Sequence, residues 1–530
     1  MKLGVDFGTT RIVIAEVDRG NYPVITFDGP AGEACDWFPA LVAVRGGQLL
    51  FGWDAWEAQE MPGAVVARSI KRYLPEAGPQ TRVEIGGQIV SMLDLLSELC
   101  SALKSALLHR SSLKVKPSDA IEIMLGVPAN ANGNQRFLTV EAFRQAGFAV
   151  LGLLNEPTAA SIEYGHGQRG KTDTAGKSRV LVYDLGGGTF DASLVEMEAH
   201  GHEVVASEGI TSLGGDDFDG VLADLALETS EIPRHEQESM TQAELFRLHE
   251  ECRRKKETLH ANTRRIHIEL DQVRETWEQV TVPVNEFYER ARPLVAETIH
   301  AVEDLLALHP EPCDALYVTG GASELPLVAR TLKESFGRRV RRSAYARSAT
   351  AIGLAIQADA ETGYVLREKF TRYFGVWREA DSGHSVVFDP LFLKGTELPA
   401  SGQPALTVRR SYHPAHNIGH FRYLECSHLT AGGRPCGEIT IWDQILFPFD
   451  AALQAREDLS GAAVQRLEWG SRDKMEECYR CDSSGAVTVT ISNLSGGYER
   501  DYRLGRWTKT GPAVAPGKPR ARRVSATETK

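Results

Sequence analysis

Two stretches of the chain share one pattern of apolar and polar positions. Leu3-Gly4-Val5-Asp6-Phe7-Gly8-Thr9-Thr10 runs into Ile12-Val13-Ile14-Ala15-Glu16-Val17. Far downstream, Val180-Leu181-Val182-Tyr183-Asp184-Leu185-Gly186-Gly187-Gly188-Thr189 runs into Ala192-Ser193-Leu194-Val195. In each, an apolar run of strand length carries an Asp near its end. A turn with Gly and Thr follows, and a second apolar run returns. This pattern predicts a β-hairpin, and two of them predict two similar lobes that divide near residue 175. Ala315-Leu316-Tyr317-Val318-Thr319 predicts another strand, running into Gly320-Gly321. Apolar residues recur at helical spacing over 93–108 and 294–308. Asn155-Glu156-Pro157-Thr158-Ala159-Ala160 opens a further helix, with Pro in its first turn.

The pattern changes near residue 360. Residues 349–360 predict a helix of small side chains, and 361–375 a charged linker. Short β-rich runs follow over 376–506: Ser385-Val386-Val387-Phe388, Ala405-Leu406-Thr407-Val408, Glu438-Ile439-Thr440-Ile441-Trp442 and Ala486-Val487-Thr488-Val489-Thr490-Ile491. Gly, Pro, Asn and Asp punctuate them, as in an all-β unit. The aromatic series Phe370, Tyr373, Phe374, Trp377 reads as its first strand and packing. Residues 507–530, with Lys518, Arg520, Arg522 and Arg523, read as a disordered basic tail. The expected fold is therefore α/β: a two-lobed domain over 1–360, followed by an all-β unit.

Composition narrows the function. The chain has 59 Lys and Arg against 71 Asp and Glu, a net charge of -12, which argues against a nucleic-acid grip by the whole surface. No run approaches the roughly 18 apolar residues of a membrane span, and the start reads as a strand rather than a signal peptide. Eight cysteines are too few for a disulfide scaffold in a chain of 530 residues, so the expected compartment is the reducing cytoplasm.

Gly and Thr directly after a strand-end Asp are what a phosphate site needs. Glycine lets backbone N–H groups approach an anion closely, and Thr9, Thr10 and Thr189 add hydroxyl donors. Asp6 and Asp184 would repel phosphate, so their expected partner is Mg²⁺ reached through water. Two facing hairpins, with Gly320 and Gly321, can grip both sides of a triphosphate.

These motifs occur in an order, with Ile70-Lys71-Arg72, Gly126-Val127-Pro128-Ala129 and Leu213-Gly214-Gly215-Asp216-Asp217-Phe218-Asp219. The order resembles that of the seventy-kilodalton heat-shock chaperones of DnaK type, within the actin-like (ribonuclease-H-like) ATPase superfamily. The resemblance is specific over 1–360. It is weaker over the β region, where it rests on Phe392-Leu393-Lys394-Gly395-Thr396-Glu397-Leu398-Pro399 and on Tyr479-Arg480-Cys481-Asp482-Ser483-Ser484-Gly485. It implies that the β region is a peptide-binding β-sandwich, and that ATP or ADP with Mg²⁺ are the cofactors. Lys71 would meet the γ-phosphate and attacking water, Glu156 would stand beside that water, Asp184 near it and the metal, and Thr189 on the γ-phosphate. Gly8, Thr9, Thr10, Gly186, Gly187, Gly188, Gly214, Gly215, Lys256, Gly320 and Gly321 would hold nucleotide. Pro128 and Arg136 resemble a proline switch and its arginine relay. The implied activity is slow ATP hydrolysis that regulates binding of extended peptide segments or a client protein, with a co-chaperone or exchange factor as a further partner. A nucleotide-dependent scaffold for one dedicated partner is the alternative.

The resemblance breaks in three places. Arg253 stands where the family has a ribose-binding acid, and Glu324 where it has an arginine that stacks on adenine. A carboxylate cannot make that stack, so a weakened adenine clamp is expected. The linker keeps only Val365 and Leu366 of the family's aliphatic run. No long amphipathic helical stretch follows residue 506, so the family's helical lid is expected to be missing. Separately, His413, His416, His420, Cys426, His428, Cys436, Cys478 and Cys481 are metal-ligand types. Strand periodicity sends Cys478 and Cys481 to opposite faces, which argues against a chelating pair.

Overall fold

The computed structural model describes residues 1–59, 61–116, 119–168, 178–198, 201–364, 369–380, 385–399, 403–456, 458–467, 473–483 and 485–504. The expected linker residues Val365 and Leu366 and the 507–530 tail lie outside the described residues.

Both hairpins form. Lys2–Phe7 pairs antiparallel with Arg11–Glu16 and parallel with Glu122–Val127. The sheet order is Ala149–Asn155, Glu122–Val127, Lys2–Phe7, Arg11–Glu16, Phe38–Pro39. The second lobe repeats the plan. Ser178–Leu185 pairs antiparallel with Phe190–Glu198 and parallel with Ala315–Thr319. Gly201–Ile210 and Val340–Arg342 complete that sheet at its edges. Near-continuous burial of Leu3, Val5, Phe7, Ile12 and Ile14, and of Leu181, Tyr183, Leu185, Phe190 and Leu194, explains why these runs read as unbroken apolar strands.

Parallel neighbours need crossover helices. Met92–His109 buries Leu95, Leu96, Leu99, Leu103 and Leu107, with Ser91 accepting the Asp94 N–H as its cap. Val284–Leu308 starts well before the expected residue 294 and carries Pro293 in its interior.

Small residues join the lobes. A Cβ on Gly353, in helix Ala349–Ala358, would come within 1.8 Å of the Ala159 carbonyl. One on Gly4 would come within 2.2 Å of the Ala355 nitrogen. Backbone therefore packs on backbone directly behind the strand that carries Asp6.

The β domain is a sandwich of two four-stranded antiparallel sheets. Their orders are Ser385–Phe392, Tyr373–Ala380, Ile418–Leu429, Pro435–Pro448 and Leu406–Tyr412, Met475–Cys481, Val487–Asn493, Tyr498–Arg503. Its first strand opens at Tyr373 rather than 376, and Phe370 already stacks on Phe392 with centroids 5.2 Å apart. Phe374, Tyr423, Trp442, Phe447 and Tyr479 fill the interior. Among the described residues, no three His, Cys, Asp or Glu side chains are arranged to hold a metal ion. No helix among them is long and apolar enough to cross a membrane.

The sandwich sits on the N-terminus of the first-lobe helix Gly133–Gln145. The Gly133 N–H donates to Glu425 Oε2 at 2.9 Å, and Asn132 Nδ2 to Thr440 Oγ1 at 3.4 Å. Arg372 donates to the Asn130 carbonyl at 3.4 Å, and Arg503 lies 4.4 Å above the Phe137 ring. A Cβ on Gly133 would fall 2.1 Å from a ring carbon of Trp442. Burial raises the Glu425 carboxyl, while the Gly133 N–H and Arg372 oppose that shift.

Candidate functional site

One deep cleft between the lobes collects most of the residues expected to act. Asp6, Gly8, Thr9, Thr10, Lys71, Glu156, Asp184, Gly186, Gly187, Thr189, Gly215, Lys256, Gly320 and Gly321 all line it. The two Thr/Gly turns face one another: a Cβ on Gly187 would lie 2.6 Å from Thr10 Oγ1. Gly188 and Gly214 do not line the cleft. They touch backbone to backbone, so a Cβ on Gly214 would come 2.6 Å from Gly188. Their smallness sets the spacing of the turns.

Lys71 lies in a single 3₁₀ turn entered through Ser69, whose φ of 59° is left-handed. Ser69 Oγ is tied to Asp216 Oδ2 at 2.5 Å. The Lys71 ammonium reaches Glu156 Oε1 at 2.7 Å, and both residues are buried. Burial works to lower the Lys71 pKa, but Glu156, Asp6 and Asp191 outweigh it and raise it. The carboxyls carry the opposite strain. Burial, with the Glu156 charge next, pushes Asp6 up to about 8. The same two causes push Asp184 and Asp191 to about 7. One lysine does not neutralise the four carboxyls Asp6, Glu156, Asp184 and Asp191. That excess of negative charge fits a divalent cation, which Asp6 and Asp184 would hold through water.

This gives a pH prediction for the metal-free protein. The three raised carboxyls have unfolded values near 3.8 and folded values of about 7 to 8. Their contribution to stability is complete below about pH 4 and is lost as pH rises through 7 to 8. Glu257, held down to about 2, completes its opposite change below this window. Thermal melts in chelator should therefore drop between about pH 5.5 and 8.5, and Asp6→Asn should flatten the slope. A melting temperature that climbs across that range contradicts the assignment.

Cations on the first lobe close the cleft against the second. Arg72 Nε donates to the Gly188 carbonyl at 2.9 Å, and its Nη2 pairs with Asp217 at 2.7 Å. Arg68 meets Glu250 at 3.1 Å and Asp216 at 3.7 Å. Arg11 grips both oxygens of Glu257, at 2.7 and 2.9 Å. Lys256 donates to the Gly215 carbonyl and pairs with Asp219, each at 2.6 Å. Two departures noted in the sequence have partners here: Arg253 pairs with Glu250, and Glu324 with Arg347 and Arg342. Neither is left as an unmatched charge; each belongs to an ion-pair network.

A family model described as Hsp70 protein matches residues 2–370. The chain belongs to the Hsp70 family. It is 31% identical to the chaperone protein DnaK of Thermosipho africanus over 374 residues, which cover 67% of this chain and 58% of that relative. It is 30% identical to the chaperone protein DnaK of Thermotoga maritima over 434 residues, covering 77% of this chain and 67% of the relative. The chain thus spans less than two thirds of the length of the first of these.

For this Hsp70 chain, the sequence reading missed Arg11, Trp37, Asp191, Glu257 and Arg347, all of which line the cleft. Asp191 had a signal, since it follows Gly188-Thr189-Phe190 as part of the second hairpin. The others stand in runs with no local pattern and meet only in three dimensions. Pro128 and Arg136 lie outside the cleft. Arg136 Nη2 donates to Asn155 Oδ1 at 2.8 Å, one residue before Glu156.

Proposed function

We propose that this Hsp70-family protein binds and slowly hydrolyses Mg-ATP, and that the nucleotide state changes how its β domain holds extended peptide segments of client proteins. One observation carries the reading. The helix that seats the β domain, Gly133–Gln145, holds Arg136, which is bonded to Asn155 beside Glu156. The seat of the β domain and the Lys71–Glu156 pair are thus joined by two bonded neighbours.

In this reading the Gly/Thr turns orient the triphosphate, and the closed lobes exclude water from it. Lys71 sets positive charge where negative charge develops in the transition state. Glu156 stands within reach to orient the attacking water, and Thr189 faces the terminal phosphate. A bound Mg²⁺ supplies further neutralisation of the phosphate charge.

The test is binding of a permanently unfolded, reduced and alkylated protein to the full chain, with ATP, with ADP and without nucleotide. Affinity or exchange rate should differ between ATP and ADP, and the unfolded protein should alter the hydrolysis rate. Identical client binding in all three conditions, with unaltered hydrolysis, would remove the coupling.

A further inference from the structure

The cleft has a second end beyond the phosphate turns. It is walled by Gly321, Ala322, Ala346 and Arg347 on one side and by Arg253, Lys256 and Glu257 on the other, with Arg11 and Trp37 nearby. A nucleoside whose phosphates lie on the turns extends towards this end. Resting on the nucleotide reading above, we propose that Arg347 is the residue whose guanidinium face receives the nucleobase, and that Glu324 and Glu257 position it for that role.

Three guanidiniums reach this end, and two are already engaged. Arg11 shares one nitrogen, Nη2, between both oxygens of Glu257, and its Cζ lies 4.7 Å from the Trp37 ring centre. Arg253 lies 5.5 Å from the Trp56 ring centre, pairs with Glu250 and is only 9% exposed. Arg347 differs. Its Nε donates to Glu324 Oε2 at 2.6 Å, and its Nη1 lies 3.4 Å from Glu257 Oε2. Both contacts use the edge of the group. Among the described residues no aromatic ring lies over its face, and its side chain keeps 35% of its exposure.

A planar cation pinned by its edges presents an open π-facing surface, and guanidinium stacks on aromatic rings where an ammonium does not match its geometry. The two carboxylates fix the plane before any ligand arrives, so little side-chain freedom is lost on binding. Glu257 stays ionised at all ordinary pH, because Arg11 and Arg253 hold it down to about 2 against the opposing effect of burial. Glu324 does not line the cleft; its other neighbour is Arg342, at 3.2 Å. The carboxylate at 324 is thus an anchor, and the stacking cation is supplied from residue 347.

The test uses the full chain with Mg²⁺ and two probes, ATP and tripolyphosphate, which shares the phosphates and lacks the base. Arg347→Ala should weaken ATP roughly two- to thirtyfold and leave tripolyphosphate unchanged. Arg347→Lys, which keeps the charge and fold but not the plane, should recover only part of that loss. Glu324→Arg should weaken ATP as well, because it sets a cation against Arg347 and Arg342. An equal loss for both probes would make Arg347 a general attractor of anions and overturn the proposal. Unchanged ATP affinity in Arg347→Ala, or tighter ATP binding in Glu324→Arg, would overturn it too. If the wild type binds tripolyphosphate but shows no gain for ATP, the base is not held at this end and the proposal fails while the phosphate site stands. If the wild type binds neither probe, the nucleotide reading itself fails.

Discussion

Lys71→Ala is expected to slow single-turnover ATP hydrolysis by about 10²–10³-fold while nucleotide still binds. The reason is its surroundings. Its ammonium is buried at 2.7 Å from Glu156, and Asp6 and Asp191 also raise its pKa. It is therefore a fixed positive charge that needs no reorganisation when negative charge develops on a phosphate nearby. The variant leaves Asp6, Glu156, Asp184 and Asp191 without that charge, so its metal-free form should also melt lower. Calorimetry with ATP separates the two effects: binding close to wild type with slow turnover places Lys71 in the chemistry. Turnover equal to wild type would take that role away.

Gly133→Ala is expected to unseat the β domain. Gly133 is not among the positive-φ glycines, so alanine meets no backbone strain. The cost lies across the interface, where the new Cβ would be 2.1 Å from Trp442. Trp442 is itself held, 4% exposed and 4.6 Å from the Phe374 ring centre. Overpacking of this kind costs about 1–3 kcal/mol, enough to reduce the equilibrium constant for seating roughly five- to 150-fold. Dyes on the first lobe and on the sandwich should report a larger and more variable separation. Adding Trp442→Ala should bring them back together by restoring the space. A transfer efficiency equal to wild type in the single variant would show that the interface gives way without separating.

The lobes were legible in the sequence because their signals are local. Each Asp–Gly–Thr turn ends an apolar strand, and the phosphate end of the cleft follows from those few residues. The elements misread were those where a local signal points the wrong way. Pro293 reads as a boundary, yet the helix runs through it from Val284, with Phe287, Tyr288 and Ala291 already buried on its inner face. The end of the cleft around Arg347 was not legible. Glu324 reads as a lost arginine until Arg347 and Arg342 are placed beside it. Nothing in the sequence singles out Glu425, because only the docking of two domains reveals the Gly133 N–H it accepts.

The cations that cross the cleft have a bearing on time as well as on shape. Arg11, Arg68 and Arg72 each reach from one lobe to carboxylates of the other, and Ser69 adds a further link to Asp216. If these links must part together for an enclosed molecule to leave, its dwell time is set by how often the whole clasp opens. Each link that dissolved salt screens brings that opening nearer. The dwell time of a bound molecule and the ionic strength of the surroundings are thereby tied to one another through residues outside the Gly/Thr turns.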